Sequence, residues 1–152
     1  MTAHQAALEA LTRYFGYDSF RPGQQGIVEA LLAGRDVLGV MPTGAGKSVC
    51  YQIPAALSPG MTLVISPLIS LMRDQVDALS DLGLPAAFIN TTQTPDEQAM
   101  VFAQAAAGQI KLLYVAPERL ETGRFRDFAA RTPISLIAVD EAHCVSQWGQ
   151  DF

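Results

Sequence analysis

The chain has 152 residues, of which 49% are hydrophobic and 16% charged, and this balance favours a folded domain over a disordered segment. Its formal net charge of −5 argues against a simple basic nucleic-acid-binding module, but not against a motor that holds nucleic acid through backbone N–H groups and a few arginines. No apolar run reaches the length of a membrane span. Cys50 and Cys144 stand far apart without metal-ligand spacing, which is typical of reduced thiols. We therefore expect an intracellular protein.

Hydrophobic periodicity predicts helices at the start of the chain. Apolar positions at helical spacing predict a leading helix over residues 3–15, closed by Gly16. Pro22 suits the first turn of a second helix that runs to Gly34. We expect one domain over residues 1–152, in which residues 1–16 form a leading helix and residues 17–152 the core.

From residue 36 onward, short apolar runs alternate with helical segments. The predicted strands are residues 36–40, 61–66, 86–90, 110–115 and 134–139. The predicted helices between them begin near residues 49, 67, 94 and 124. This alternation predicts the α/β class, with a parallel sheet that has helices on both faces. Ligands of such sheets bind beyond the carboxyl ends of the strands.

Residues 41–48 (Met-Pro-Thr-Gly-Ala-Gly-Lys-Ser) have the features of a phosphate-binding loop, because they lie between a predicted strand and a predicted helix. Gly44 and Gly46 allow backbone N–H groups to face a phosphate, and the helix N-terminus adds partial positive charge. Lys47 can reach the outer phosphates, and Ser48 can ligate Mg²⁺. The loop begins with methionine where the strict pattern has glycine, so a chance Gly-Lys-Ser in a strand–turn–helix is the alternative.

The last predicted strand ends in two adjacent carboxylates, Asp140 and Glu141. Asp140 is placed to hold Mg²⁺, and Glu141 to take a proton from an attacking water. The alternative is a solvated loop after a strand. Together with the Lys47 loop, the pair predicts a site for hydrolysis of a terminal phosphate, and we expect both groups to meet at one triphosphate–magnesium pocket.

Three side chains upstream of the loop suggest a nucleobase pocket. Tyr17 can stack on a purine, Arg21 lies nearby, and the Gln24 amide offers a donor and an acceptor that suit the edge of adenine. The alternative is a helix start with packed aromatic residues. Farther on, Ser66 ends a predicted strand, and its hydroxyl can face a sugar-phosphate backbone; the alternative there is a plain strand–helix corner.

Taken together, these motifs resemble the RecQ family of superfamily-two DNA helicases over residues 14–152. Residues 20–24, with Tyr17 as the stacking aromatic, resemble the adenine-recognition motif. Residues 41–48 resemble motif I, in which a leading Met-Pro-Thr is usual. The matches to motifs Ia, Ib and II are residues 64–72, 114–120 and 140–143. The resemblance implies a truncated RecA-like P-loop NTPase lobe that uses ATP and Mg²⁺.

The resemblance also implies roles for individual residues. The nucleotide-binding residues it implies are Tyr17, Arg21, Gln24, Thr43, Gly44, Ala45, Gly46, Lys47 and Ser48. The catalytic residues are Lys47, Asp140 and Glu141, and the Mg²⁺ ligands are Ser48 and Asp140. Residues 144–152 resemble the aromatic-rich loop that couples DNA contact to ATP hydrolysis; the DNA-coupling residues are His143, Gln147, Trp148 and Phe152. Trp148 can stack on an unpaired base, whereas the alternative is a rim aromatic in a packed loop.

The function implied is ATP-driven unwinding of DNA in the 3′-to-5′ sense, in DNA repair and recombination. The implied partner is a single-stranded/duplex DNA junction, with no membrane. The family's motif III, second motor lobe with its arginine finger, zinc-binding part and winged helix are expected outside these residues. Alternatives are a nucleotide-binding module without activity, an RNA helicase, or a small-molecule kinase; the pair Asp140–Glu141 and the glutamine motif disfavour the kinase.

In the family fold, the motif III strand is expected between the strand before the phosphate loop and the strand that ends at Asp140. We therefore predict that residues 36–41 and 135–140 are not hydrogen-bonded to each other. Backbone edges left unpaired in this way attract other strands, and we expect the free polypeptide to be poorly stable.

Overall fold

The computed structural model describes residues 2–40 and 46–140, and its contacts divide the chain into two compact units, residues 1–59 and 60–152. Helices form the described part of the first unit. They are α1 (Ala3–Ala10), which continues into a π-helical turn (Leu11–Phe15), α2 (Gln24–Leu32) and α3 (Val49–Leu57). The leading helix is thus confirmed, whereas the wider π turn at its end was not predicted.

Apolar side chains from these three helices form the core of the first unit. Leu11, Val28 and Ile53 are almost wholly buried there. Gly16 closes the π turn in the left-handed conformation (φ 74°), as predicted for a cap. The second helix begins at Gln24 with Gly23 as its N-cap, slightly later than Pro22 suggested.

The strand predicted over residues 36–40 is wrong. These residues adopt no regular structure, and Leu38 and Val40 are 82% and 88% exposed. An apolar run becomes a strand only where a neighbour accepts its backbone hydrogen bonds and covers its side chains. All four strands that the structure describes belong to the second unit.

The second unit alternates strands and helices. Its strands are β1 (Met61–Ile65), β2 (Ala86–Ile89), β3 (Leu112–Val115) and β4 (Ile134–Val139). Its helices are α4 (Ile69–Asp81), α5 (Pro95–Ala106) and α6 (Gly123–Arg131), with a 3₁₀ turn (Pro117–Glu121) before α6. The strands are parallel in the order β2-β3-β1-β4, and Leu63 of β1 lies opposite Leu113 and Ile137. The predicted parallel α/β class is confirmed.

Helices cover both faces of this sheet, also as predicted. On one face, apolar residues of β1 and β3 pack with Phe125 and Phe128 of α6 and with α5. On the other face lies α4, whose Arg73 guanidinium is 5.9 Å from the ring centroid of Phe88. Every residue of β1 and β3 is buried, and apart from Thr62 these strands are apolar runs rather than alternating ones.

Strand β4 is the outermost of the described strands on one side of the sheet. Among the described strands it pairs with β1 alone, and Ile137 and Val139 are 58% and 42% exposed. The predicted lack of direct pairing between residues 36–41 and 135–140 stays a prediction. The inserted motif III strand and the poor stability of the fragment remain predictions.

Candidate nucleotide-binding site

The side chain of Gln24 links two of the predicted motifs. Gln24 is 4% exposed and begins α2. Its Oε1 accepts a hydrogen bond from the Arg21 backbone N–H at 2.8 Å, and its Nε2 donates to the Gly46 carbonyl at 2.9 Å. The segment expected to recognise adenine is therefore tied directly to the residue that precedes Lys47.

These bonds limit how Gln24 can meet a base. We expected its donor and acceptor to read the edge of adenine, but the acceptor and one donor hydrogen are used within the chain. A base that used either of these two groups in the same way would have to displace one of these bonds. One carboxamide therefore links the backbone at Arg21 with the backbone at Gly46.

Gly46 is required by the close approach of Gln24. Its backbone is left-handed (φ 75°), a conformation that glycine adopts without steric cost. A Cβ at this position would lie 2.6 Å from Gln24 Nε2 and 3.7 Å from Arg21 Nη1. The guanidinium of Arg21 thus also lies beside Gly46, so the structure brings Arg21, Gln24 and Gly46 together.

Lys47 and Ser48 form the turn that starts α3. The Val49 N–H donates to the Gly46 carbonyl at 3.2 Å, and the Gln52 N–H donates to the Ser48 carbonyl at 3.0 Å. Lys47 and Ser48 are half-buried, and the Ser48 side chain makes no capping hydrogen bond. The N-terminal end of α3 therefore presents its positive dipole end next to Lys47, which suits a phosphate.

Inside the first turn of α3, the thiol of Cys50 faces a buried environment. Burial raises the pKa of this thiol because the thiolate would be poorly solvated. Cys50 is thus a protonated, apolar-like packing residue at neutral pH rather than a nucleophile.

Tyr17 lies in an exposed bend between the π turn and α2. Its side chain is 52% exposed, which leaves the ring accessible to a base. The Thr12 hydroxyl donates to the Tyr17 carbonyl at 2.9 Å. The sequence analysis missed Thr12, because a single hydroxyl on an exposed helical position carries no pattern that separates it from ordinary surface residues.

Asp140 occupies the predicted place at the carboxyl end of a strand. Its N–H donates to the Ile65 carbonyl at 2.9 Å, which extends the pairing of β4 with β1 by one residue. The side chain is half-buried. The other predicted site residues lie outside the described residues: Thr43, Gly44, Ala45, Glu141, His143, Gln147, Trp148 and Phe152. Their roles stay predictions, as does a shared pocket for Lys47 and the acidic pair.

Ser66 corrects one expectation. It is completely buried, and its Oγ accepts the Leu68 N–H at 3.2 Å. The hydroxyl therefore shapes the corner between β1 and α4, and the idea that it faces a sugar-phosphate backbone is wrong.

Within residues 2–40 and 46–140, no three acidic, histidine or cysteine side chains cluster as metal ligands, and none of the helices has the length and hydrophobicity of a membrane span.

Known proteins resemble this chain over most of its length. Residues 21–152 match the family model described as DEAD/DEAH box helicase. The ATP-dependent DNA helicase RecQ of Haemophilus influenzae is 53% identical over 146 residues, which cover 96% of this chain and 24% of that protein. RecQ of Bacillus subtilis is 48% identical over 147 residues, or 96% of this chain and 25% of that protein. The chain thus spans about a quarter of the length of these curated relatives.

A solved structure supports the fold. The RNA-helicase Prp28 from Chaetomium thermophilum, crystallised with ADP, superposes with a TM-score of 0.67 over 97% of this chain and 39% of that chain. The two sequences are 22% identical, so the likeness bears on the architecture alone.

Proposed function

Because the chain belongs to the DEAD/DEAH box helicase family, we propose that it is the ATP-binding part of a motor that unwinds DNA in the 3′-to-5′ sense. The observation that carries the proposal is the bond from Gln24 Nε2 to the Gly46 carbonyl. ATP has a base at one end and phosphates at the other, and this bond joins the segment suited to the base with the loop suited to the phosphates. The relatives at about 50% identity are named ATP-dependent DNA helicases, which favours DNA over RNA as the substrate.

Each proposed role follows from charge and geometry. The Lys47 ammonium neutralises charge on the outer phosphates, and the first N–H groups of α3 donate to phosphate oxygens. Ser48 and Asp140 supply hard oxygen donors of the kind that Mg²⁺ binds, and the uncapped hydroxyl of Ser48 fits such a role. Bound Mg²⁺ would neutralise phosphate charge, and Glu141 would accept the proton of the attacking water.

Nucleotide binding can be tested on the chain itself by titration calorimetry with ATP. We expect the chain to bind ATP and the Lys47→Ala variant to lose binding. Lys111→Ala is the matched control, because it removes the same charge at the amino end of β3, away from the strand ends where ligands of parallel sheets bind. Equal affinities for Lys47→Ala and the unsubstituted chain would contradict the assignment.

Magnesium can be tested separately with Mn²⁺ as a spectroscopic probe. We expect ATP to bring Mn²⁺ onto the protein, detected by electron paramagnetic resonance, and Asp140→Asn or Ser48→Ala to weaken that capture. If neither substitution changes the binding of Mn²⁺ in the presence of ATP, neither residue belongs to the proposed metal site.

We expect unwinding to need regions of the relatives beyond the quarter of their length that these residues match. Hydrolysis in such motors is normally completed by an arginine from elsewhere, so we expect the chain alone to have negligible ATPase activity. A chimera in which the chain replaces the matching quarter of Bacillus subtilis RecQ should unwind a 3′-tailed DNA duplex, and the same chimera with Lys47→Ala should not.

Two alternatives have distinct outcomes in the chimera assay. Unwinding of an RNA duplex in preference to DNA would favour an RNA helicase. ATP binding without any unwinding or DNA-stimulated hydrolysis would favour a nucleotide-binding module.

We also propose that DNA contact is coupled to hydrolysis through four residues: His143, Gln147, Trp148 and Phe152. We further propose a role in DNA repair and recombination, and an intracellular location at the DNA.

A further inference from the structure

Thr12 makes two hydrogen bonds to the segment that carries Tyr17. Its hydroxyl donates to the Tyr17 carbonyl at 2.9 Å, and its own carbonyl accepts the Gly16 N–H at 3.0 Å. The two bonds use both the side chain and the backbone of one residue. Thr12 therefore determines where the chain turns away from the π-helical end of the first helix.

The segment that Thr12 holds has little other support. Phe15 and Phe20 pack against the core of the first unit, but residues 16–19 between them form an exposed bend. Thr12 itself is well anchored, because its neighbour Leu11 is 1% exposed in that core. The hydroxyl thus connects an exposed bend to a rigid part of the helix.

We propose that Thr12 is a positioning residue for the nucleobase, which holds the Tyr17 backbone so that the half-exposed ring is already in place when the base arrives. This inference rests on the proposed function, since it assumes that Tyr17 stacks on the base of ATP. Its physical reason is preorganisation: a bend ordered before binding loses less conformational entropy when the ligand binds. This role needs a hydroxyl at residue 12. In this proposal the hydroxyl acts on the Tyr17 backbone and not on the ligand.

The test compares Thr12→Val with Thr12→Ser in calorimetric titrations with ATP and with inorganic tripolyphosphate. Valine keeps the branched shape but cannot donate, so we expect its Kd for ATP to rise by about two- to tenfold, the worth of one hydrogen bond. Tripolyphosphate has no base, and its affinity should not change. Thr12→Ser keeps the hydroxyl and should bind ATP as the unsubstituted chain does. Circular dichroism melts of both variants check that the chain remains folded.

A double-mutant cycle with Tyr17→Ala separates this inference from the proposed function. We expect Thr12→Val to have no further effect on ATP binding once the Tyr17 ring is gone. A chain that binds no ATP, or a Tyr17→Ala variant that binds ATP normally, would overturn the adenine assignment and the inference with it. If Tyr17→Ala weakens ATP binding but Thr12→Val does not, only the role of Thr12 fails. It also fails if Thr12→Val weakens tripolyphosphate equally or acts equally without the Tyr17 ring.

Discussion

The Gly46→Ala substitution places a methyl group where the structure has no room for one. The added Cβ would lie 2.6 Å from Gln24 Nε2, and alanine would have to adopt φ 75°. The left-handed conformation costs alanine about 1 kcal/mol, and displacing the Gln24 amide loses a hydrogen bond worth about 1 kcal/mol. We therefore expect the free energy of unfolding to fall by about 2 kcal/mol, and ATP binding to weaken because the phosphate loop loses its connection to α2.

Two other glycines provide matched controls. Gly34 also has a left-handed backbone (φ 82°), but a Cβ there would meet nothing within 4 Å, so Gly34→Ala measures the conformational cost alone. Gly26 lies inside α2 with open space around it, and Gly26→Ala should raise the free energy of unfolding by up to about 1 kcal/mol. Neither control should change the affinity for ATP.

The assay is urea denaturation followed by far-ultraviolet circular dichroism, with ATP affinity measured on the same samples. In a Gln24→Ala background, Gly46→Ala should cost only as much as Gly34→Ala, because the obstructing amide is absent. The reasoning is refuted if Gly46→Ala and Gly34→Ala are equally destabilising in the unsubstituted chain, since Gln24 would then not occupy the space beside Gly46.

Two further predictions concern stability and a third concerns self-association. Thr62, buried in β1, has a hydroxyl without a hydrogen-bond partner, so Thr62→Val should raise the free energy of unfolding by about 1 kcal/mol in urea titrations. Backbone and side-chain hydrogen bonds from Thr94 lower the pKa of Glu97, so Glu97 stabilises the folded chain at neutral pH. The stability difference between the chain and Glu97→Gln should therefore shrink as the pH falls through the folded-state pKa of Glu97; a difference that is constant with pH contradicts this. Ile137→Lys on β4 should reduce self-association in sedimentation experiments without loss of helix or strand signal.

Much of the second unit could be predicted because its determinants are local. The runs that became β1 and β3 are apolar apart from Thr62, and turn or capping residues bound the helices between them. Thr94 and Glu97, for example, form a capping box at the start of α5. This pattern can be recognised in the sequence because its two residues are only three positions apart. The carboxyl end of β4 could likewise be predicted from the sequence, and Asp140 follows that strand as predicted.

The two wrong predictions, for residues 36–40 and for Ser66, share a different cause. Residues 36–40 have the composition of a buried strand, but composition does not supply the neighbouring strand that would satisfy the backbone. Ser66 has a hydroxyl suited to phosphate, but the corner after β1 uses it to accept the Leu68 N–H. In both cases the outcome depends on what lies beside the residue in space.

By itself, the sequence determined the order of helices and strands in the second unit, and it predicted a phosphate loop and an acidic strand end. Only the tertiary structure decided that β1 lies between β3 and β4, that β4 is the outermost of the described strands on its side, and that the amide of Gln24 is bonded to Gly46. The physical reason is range: periodicity and caps act within a few residues, whereas Gln24 and Gly46 are 22 residues apart and meet only once the first unit has folded.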